Sequence, residues 1–273
     1  MGHPSSLGGV SDPFQPVERI KKQSLKCLQL LAETKYPFII STKATLPAEE
    51  PYYSLFKECN CVFQVSAVCP SLSKIELGAP NFEERLKMIE KMTKVCKRVV
   101  VRCQPYVMQY HNEIKEQIKR FADAGVYGIV YEAIKMQNKV KGMIRVGADF
   151  AYPKKELEKK FIELKLECHK QGLKFFAGEN RLRSIGDSLC CCGCEDLEGF
   201  KVNKYNLNHK IYDKENCNPT EKMKEKDTSQ VFKALKQDSE GVNVLKKNSF
   251  YDIMETVFKD KKTVNAYLGL DEK

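Results

Sequence analysis

The chain has 273 residues, enough to bury one large core or one domain with an appendage. With 42% hydrophobic and 30% charged residues, its composition is typical of a soluble globular protein. No run approaches the roughly 18 consecutive apolar residues of a membrane span, and no basic segment followed by an apolar one opens the chain. The composition therefore predicts neither a membrane protein nor a secreted one.

The formal charge of +10 favours an anionic partner, either nucleic acid or a phosphorylated substrate. A solvated, lysine-rich surface is the simpler explanation, because lysine and glutamate alternate in stretches such as 154–167, where their charges largely cancel. Twelve cysteines without a secretion signal indicate a reducing cytoplasm, where thiols act as ligands, nucleophiles or small core residues. We expect Cys27, Cys96 and Cys168, which lie among apolar residues of predicted helices or at their ends, to be buried.

Short apolar segments alternate with longer amphipathic ones along the first 178 residues. The pattern predicts strands over 6–10, 37–42, 61–68, 98–103, 127–134 and 173–178. It predicts helices over 17–34, 50–59, 81–96, 111–125 and 153–172, with Asn81 as an N-cap and with Gly125 and Gly172 at two helix ends. Short buried strands joined by helical crossovers indicate an α/β fold with a parallel sheet. The regular repeat favours a partial (βα) barrel over a doubly wound sheet, although periodicity alone does not separate the two.

The chemistry of a (βα) barrel lies at the carboxyl ends of its strands. The polar residues expected there are 11–12, 41–43, 66–69, 103–105, 131–132 and 178–180. After about residue 200 the sequence becomes polar and rich in asparagine and lysine. We therefore predict a partial barrel over 1–200, and a polar linker with a small helical appendage over 201–273, its amphipathic stretches lying near 229–237 and 249–268.

Three of these strand ends, in the first, second and fourth predicted strands, are informative about a ligand. Asp12 follows the first strand in "SDP", where proline ends the ladder, although a plain Asx turn would also explain it. "STK" (41–43) follows the next predicted strand, and Arg102 stands inside an apolar strand, where it needs a partner. Three such ends in series predict a lined pocket for a polar, charged ligand.

Four segments, "LGGVSDPFQPVE", "PFIISTKATL", "IELGAPNFEERLKMI" and "VVVRCQPYV", resemble in order and spacing segments of the radical S-adenosylmethionine (AdoMet) proteins of the spore photoproduct lyase type. The resemblance spans roughly residues 6–200. It implies a partial (βα) barrel, a 4Fe-4S cluster and AdoMet, with lyase-like chemistry begun by a 5′-deoxyadenosyl radical.

The resemblance also implies site residues. Gly8, Gly9 and Asp12 look like the segment that approaches the methionyl amino group of AdoMet. Ser41, Thr42 and Lys43 look like a strand end that faces cofactor or substrate. Ser66 is similar to a hydroxyl residue near the ribose or carboxylate, and Arg102 to an arginine that pairs with the cofactor carboxylate. Glu76 and Arg85 match a loop-to-helix element, for which we favour a structural salt bridge.

The sequence departs from this family in its cysteines. The cluster of these proteins is held by a CxxxCxxC loop, and no CxxxCxxC occurs in this chain. We therefore expect a fragment that is inactive alone and needs a missing N-terminal segment or a partner chain. The alternative is a non-catalytic accessory protein that binds metal through its late cysteines. A third possibility, a (βα) enzyme with a phosphorylated substrate, lacks a glycine-rich phosphate loop.

Four late cysteines stand close together in "SLCCCGCEDLEGF" (188–200). They are Cys190, Cys191, Cys192 and Cys194. An auxiliary metal or iron–sulfur site is one interpretation, with Cys217 or His209 as further ligands. Thiol chemistry and a structural turn are the others. Because the cysteines follow the last predicted strand, they are not expected to form the radical-generating centre.

Overall fold

The computed structural model describes residues 5–9, 11–74, 76–188, 190, 192–194, 196–197 and 200. The predicted appendage over 201–273, with its two helical stretches, Cys217 and His209, lies outside the described residues, as does Cys191. The division at residue 200 therefore stays a prediction. None of the described helices combines the length and the apolarity that crossing a membrane requires.

The described strands are β1 (Ser5–Leu7), β2 (Phe38–Thr42), β3 (Cys61–Ser66), β4 (Arg98–Tyr106), β5 (Gly128–Ala133), β6 (Ile144–Val146), β7 (Asp149–Ala151) and β8 (Lys174–Ala177). Within the described residues, six of them form one sheet in the order β1-β2-β3-β4-β5-β8, and every neighbouring pair is parallel. The remaining two, β6 and β7, form an antiparallel hairpin between β5 and the last crossover helix. Strands that follow one another along the sheet in chain order are typical of a (βα) barrel. The predicted α/β fold with a parallel sheet is confirmed.

The described helices are α1 (Glu18–Lys21), α2 (Gln23–Thr34), α3 (Tyr52–Glu58), α4 (Pro70–Ser73), α5 (Phe82–Met92), α6 (His111–Asp123) and α7 (Lys154–Lys170). Asn81 caps α5 as predicted, and it forms a reciprocal capping box with Glu84. Gly125 and Gly172 follow α6 and α7 with φ of 83° and 74°, a conformation that glycine adopts readily.

The two faces of the sheet differ in what covers them. Residues that alternate along each strand, such as Phe63, Val101 and Phe175, pack with the helices in one large apolar core. The opposite face, which we call the inner face, holds a smaller apolar patch made of Ile39, Val62, Val100, Val130 and Phe176. Cys194 and Phe200, from the chain beyond β8, pack on this patch.

β6 and β7 were not predicted, and β4 and α5 end at Tyr106 and Met92 rather than at residues 103 and 96. Two other differences from the predicted elements have a clear physical cause. The first strand ends at Leu7 rather than at residue 10, because Gly8 turns away from the ladder with a φ of 90°. The predicted helix over 17–34 is broken at Lys22, which has a φ of 52°. The side chain of Glu18 folds back and accepts hydrogen bonds from the backbone N–H groups of Ser24 (3.0 Å) and Leu25 (2.9 Å), so it caps α2.

The prediction for the helical cysteines is confirmed for two of them. Cys96 and Cys168 are buried, and burial raises the pKa of the Cys168 thiol to about 12. Cys27 was expected in the core and is instead exposed. Its neighbours Leu25 and Leu28 take the buried positions of α2, and the helical repeat turns Cys27 away from them.

The chain beyond β8 runs back along the outer edge of that strand. The N–H of Asp187 donates to the carbonyl of Phe175 at 2.8 Å, and the N–H of Phe175 donates to Asp187 Oδ2 at 2.8 Å. The return places the following segment at the amino ends of the strands, where Arg98 begins β4.

Candidate functional site

A row of polar side chains lies on the inner face near the carboxyl ends of the strands. Alternation along each strand places these residues on the same face as the apolar patch, but further toward the carboxyl edge. We call this set the polar inner row, and it comprises Ser41, Gln64, Ser66, Arg102, Gln104 and Glu132. Its position matches the end of the sheet where a (βα) barrel carries its chemistry.

Ser41 and Gln64 pair across β2 and β3. The hydroxyl of Ser41 donates to Gln64 Oε1 at 2.9 Å, and the two residues are partners in the strand register. Gln64 is 2% exposed, and its Nε2 has no hydrogen-bond partner among the described residues. A buried amide donor without a partner is costly, so the pair offers a donor to a ligand on this face.

Arg102 is held by two acceptors. Its Nε donates to Gln104 Oε1 at 2.6 Å, and its Nη2 bonds to Glu132 Oε2 at 2.6 Å. The predicted partner for this arginine is therefore found within the chain, in Glu132. No hydrogen bond from Nη1 to a described residue is present, and the side chain is 26% exposed. The guanidinium is oriented by the protein while one of its nitrogens can still bind an anion.

Asp12 ties the segment after β1 to the end of β2. Its carboxylate accepts hydrogen bonds from the Thr42 hydroxyl (2.7 Å), the Lys43 N–H (2.7 Å) and the Phe14 N–H (2.9 Å). Thr42 is 3% exposed and turned toward Asp12, so within "STK" only Ser41 belongs to the polar inner row. The arrangement gives Asp12 and Thr42 a positioning role, and their predicted contact with a cofactor stays a prediction.

Lys43 enters a separate ion-pair network. Its Nζ contacts Glu76 Oε1 at 2.5 Å, and Glu76 Oε2 contacts Arg85 Nη2 at 2.5 Å. Burial raises the pKa of Glu76, but the hydrogen bond from Lys43 and the Arg85 guanidinium outweigh it and hold the pKa below its usual value. The favoured interpretation of Glu76 and Arg85 as a structural salt bridge is confirmed.

Two further predicted residues, Ser66 and Gly8, act at this edge through their backbone, whereas Gly9 has no such contact. Arg85 Nη1 donates to the carbonyl of Ser66 at 2.8 Å, which fixes the end of β3. Gly8 lies so close to β2 that an added Cβ would stand 2.2 Å from the Ser41 carbonyl oxygen. An added Cβ at Gly9 would meet nothing within 4 Å. Close approach therefore explains glycine at position 8 and gives no reason for it at position 9.

A second buried ion pair closes the carboxyl end of β8. Arg181 Nε bonds to Glu179 Oε1 at 3.0 Å, and the side chains are 7% and 3% exposed. Glu179 Oε2 and Arg181 Nη2 are buried without a hydrogen-bond partner among the described residues. The carboxyl edge thus carries an unmatched buried acceptor as well as the unmatched donor of Gln64.

The late cysteines that the structure describes, Cys190, Cys192 and Cys194, lie at the opposite end of the sheet. Arg98, the first residue of β4, donates to the carbonyl of Gly193 (2.6 Å) and to Asp196 Oδ1 (2.6 Å), and its guanidinium lies over the ring of Tyr127. Among the described residues, no group of three or more His, Cys, Asp or Glu side chains is arranged to hold a metal ion. Because Cys191 lies outside those residues, the metal site over Cys190, Cys191, Cys192 and Cys194 stays a prediction.

Sequence reasoning missed Gln64 and Arg98. Gln64 is a polar residue inside the buried strand "CVFQVS", two positions before Ser66, and this spacing was the available signal for a shared face. Nothing near Arg98 in the sequence indicates that it contacts Gly193, because the contact spans 95 residues.

No family model and no curated protein matches the chain. Its fold is nevertheless similar to solved structures. Spore photoproduct lyase complexed with dinucleoside spore photoproduct matches with a TM-score of 0.51 at 12% identity, over 64% of this chain and 61% of that chain. A spore photoproduct lyase mutant with bound AdoMet and dinucleoside spore photoproduct gives 0.47 at 12% identity, over 62% and 58%. Streptococcus suis SuiB gives 0.43 at 13% identity, over 56% and 35%.

The sheet and the polar inner row define the chain as an α/β protein with the architecture of a partial (βα) barrel. The predicted resemblance to the spore photoproduct lyase type is confirmed at the level of the fold. The match spans 61% of the lyase chain, which is less than two-thirds of its length.

The side chains present fit the two implied cofactors unequally. AdoMet carries an amino group, a carboxylate and a ribose, and the carboxyl edge offers an unmatched amide donor, an unmatched carboxylate oxygen and the Arg102 guanidinium. A 4Fe-4S cluster needs thiolates. Cys69 and Cys103, near the carboxyl ends of β3 and β4, are fully buried, and Cys103 Sγ contacts the carbonyl of Ala67 at 3.2 Å. The described residues at this edge therefore fit AdoMet and do not fit a cluster.

Proposed function

We propose that this chain binds AdoMet at the polar inner row and contributes that site to lyase-like radical chemistry. The observation that carries the proposal is the Arg102 guanidinium, oriented by Glu132 and Gln104 at 2.6 Å each, at the carboxyl edge of a barrel-like sheet. In this proposal Arg102 binds the carboxylate of the ligand. Gln64 donates from its unmatched Nε2, and Glu179 accepts through its unmatched Oε2.

The fold supports this site, since spore photoproduct lyase has a similar fold and one of its mutants is described with bound AdoMet. A cluster bound beside AdoMet would supply the electron for radical chemistry, as in proteins of the type that this chain resembles. We propose that the cluster ligands come from a preceding segment or a partner chain, because the present sequence contains no CxxxCxxC. The chain alone would then bind AdoMet without cleaving it.

The binding proposal is tested by titrating the full chain with AdoMet in a calorimeter. Arg102→Gln should weaken binding about 10- to 100-fold, because a hydrogen bond to a charged group contributes about 1.5–3 kcal/mol. Arg98→Gln is the matched control, since it changes the same side chain on the same strand at the opposite end of the sheet. Equal weakening in the two variants, or no binding by the native chain, would contradict the proposal.

We further propose a substrate derived from nucleic acid. The formal charge of +10 supports an anionic partner, and a spore photoproduct lyase structure with a similar fold contains a dinucleoside spore photoproduct. Fluorescence anisotropy with a labelled single-stranded oligonucleotide tests this proposal. Binding should weaken as salt is raised, with a linear dependence of log K on log salt concentration, because counterions are released from the phosphates. Binding that does not change with salt would contradict a phosphate-contacting site.

A further inference from the structure

Cys190 and Cys194 form a close thiol pair that the proposed AdoMet site does not use. The sulfurs of Cys190 and Cys194 are 3.4 Å apart. Cys190 is partly exposed, whereas Cys194 is 4% exposed and packs on the apolar patch of the inner face. Cys190 is therefore the more accessible residue of the pair.

Gly193, the residue before Cys194, is closely packed. Gly193 has a φ of 65°, and an added Cβ would stand 3.1 Å from Val100 Cγ2 and 3.2 Å from the Phe176 ring. The Arg98 guanidinium donates to the Gly193 carbonyl at 2.6 Å and anchors the turn to the start of β4. These contacts fix the backbone next to Cys194, and the short loop from Cys190 to Cys194 keeps the entropic cost of joining the two thiols small.

The unequal burial of the two residues assigns their roles. Cys190 is partly exposed and Cys194 is 4% exposed, so a dissolved disulfide meets Cys190 first. The thiolate of that residue is the nucleophilic form that attacks a disulfide.

We propose that Cys190 and Cys194 form a thiol–disulfide exchange site at the amino end of the sheet, with Cys190 as the attacking thiol and Cys194 as the resolving thiol. Its co-substrate is a low-molecular-weight disulfide. The site is separate from the polar inner row, which lies toward the carboxyl ends of the same strands. The proposal therefore stands or falls independently of AdoMet binding.

The exchange proceeds in two balanced steps. The Cys190 thiolate attacks one sulfur of a disulfide RSSR, the S–S bond of the reagent breaks, and one RS⁻ leaves while a mixed disulfide forms on Cys190. Cys194 loses its proton and attacks the Cys190 sulfur, so that the second RS⁻ leaves. The two protein thiols are oxidised to one disulfide, RSSR is reduced, and two protons convert the expelled thiolates to two RSH.

The test uses the reduced full chain, incubated without oxygen in glutathione buffers of increasing oxidised-to-reduced ratio. Acid quenching, alkylation and tryptic mass spectrometry then count the blocked cysteines in the peptide over 184–201. We expect one disulfide to form in this peptide while the exposed Cys27 stays free to alkylate. The disulfide should persist in Cys192→Ser and be lost in both Cys190→Ser and Cys194→Ser.

Three results would overturn the proposal. First, all four cysteines of the peptide could still react with the alkylating reagent at the most oxidising ratio, which would show that no disulfide forms. A disulfide of the same yield could form in both Cys190→Ser and Cys194→Ser, which would assign the exchange to other thiols. Finally, Zn²⁺ alone could bind at one ion per chain and protect Cys190 and Cys194 from alkylation, which would assign the group to a metal. Circular dichroism of each serine variant verifies that it is folded.

Discussion

Gly8 lies next to the carbonyl oxygen of Ser41, so close that an added Cβ at position 8 would stand 2.2 Å from that oxygen. Gly8→Ala should therefore displace the end of β2 or the segment after β1. We expect a loss of about 3 kcal/mol in the free energy of unfolding, because the alanine must also adopt a φ near 90°. Urea unfolding followed by circular dichroism measures the change. Gly9→Ala is the control and should change stability by less than about 0.5 kcal/mol, since nothing lies within 4 Å of the added atom.

Glu76 connects an exposed lysine to a buried arginine. Arg85 is 1% exposed, so Glu76→Gln leaves a buried guanidinium without its carboxylate. We expect a loss of about 3 kcal/mol, the low end for a broken buried pair, because water reaches the 20% exposed Glu76. Glu83→Gln, which breaks the exposed pair with Arg120, should cost less than about 1 kcal/mol. Chemical denaturation of the two variants gives the comparison, and equal losses would refute the special role of Glu76.

His111 should make stability depend on pH. It is 4% exposed and bonds to the Tyr106 hydroxyl (2.9 Å) and to Glu163 (2.8 Å). Burial lowers the pKa of His111 despite the opposing hydrogen bond to the Glu163 carboxylate, and the charges of Lys160 and Lys115 lower it further. Below the unfolded histidine pKa of about 6.5, the unfolded chain binds this proton more readily than the folded one. The free energy of unfolding therefore decreases as the pH is lowered.

The variant His111→Gln isolates this contribution, because the other titrating groups are common to both proteins. Between pH 7.5 and 5.5, the native chain should lose more unfolding free energy than the variant does. Unfolding curves at four pH values across that interval measure the difference. Parallel pH profiles for the two proteins would show that His111 does not titrate in this way.

The fold was largely predictable because the strands from β2 to β5 and β8 contain short apolar runs and the crossover helices have one apolar face. The exposed hairpin of β6 and β7 has no such run and was not predicted. The break at Lys22 was not predictable from that periodicity. It depends on Glu18 reaching the N–H groups of Ser24 and Leu25 and on the Tyr52 hydroxyl, which donates to Glu18 at 2.9 Å from another helix. The spacing of apolar residues indicates which face of a helix is buried, but it does not indicate a side-chain cap of this kind.

The candidate site was predictable in part for a related reason. The order of the strands brings Ser41 and Arg102 to one edge, and both were expected there. The pairing of Arg102 with Glu132 depends on the register of β4 and β5, which the sequence pattern does not specify. The end of the sheet at which the late cysteines lie depends on the return of the chain along β8, a tertiary contact between Asp187 and Phe175.

The path of the chain back along β8 affects whether a second copy of this protein can add a strand to the sheet. An outermost strand with unpaired N–H and C=O groups is a template on which a second chain can add a strand. At Phe175 both backbone groups are already bonded to Asp187, one by its carboxylate and one by its N–H. A single aspartate thus occupies this point of the β8 edge, where intermolecular strand addition would otherwise begin.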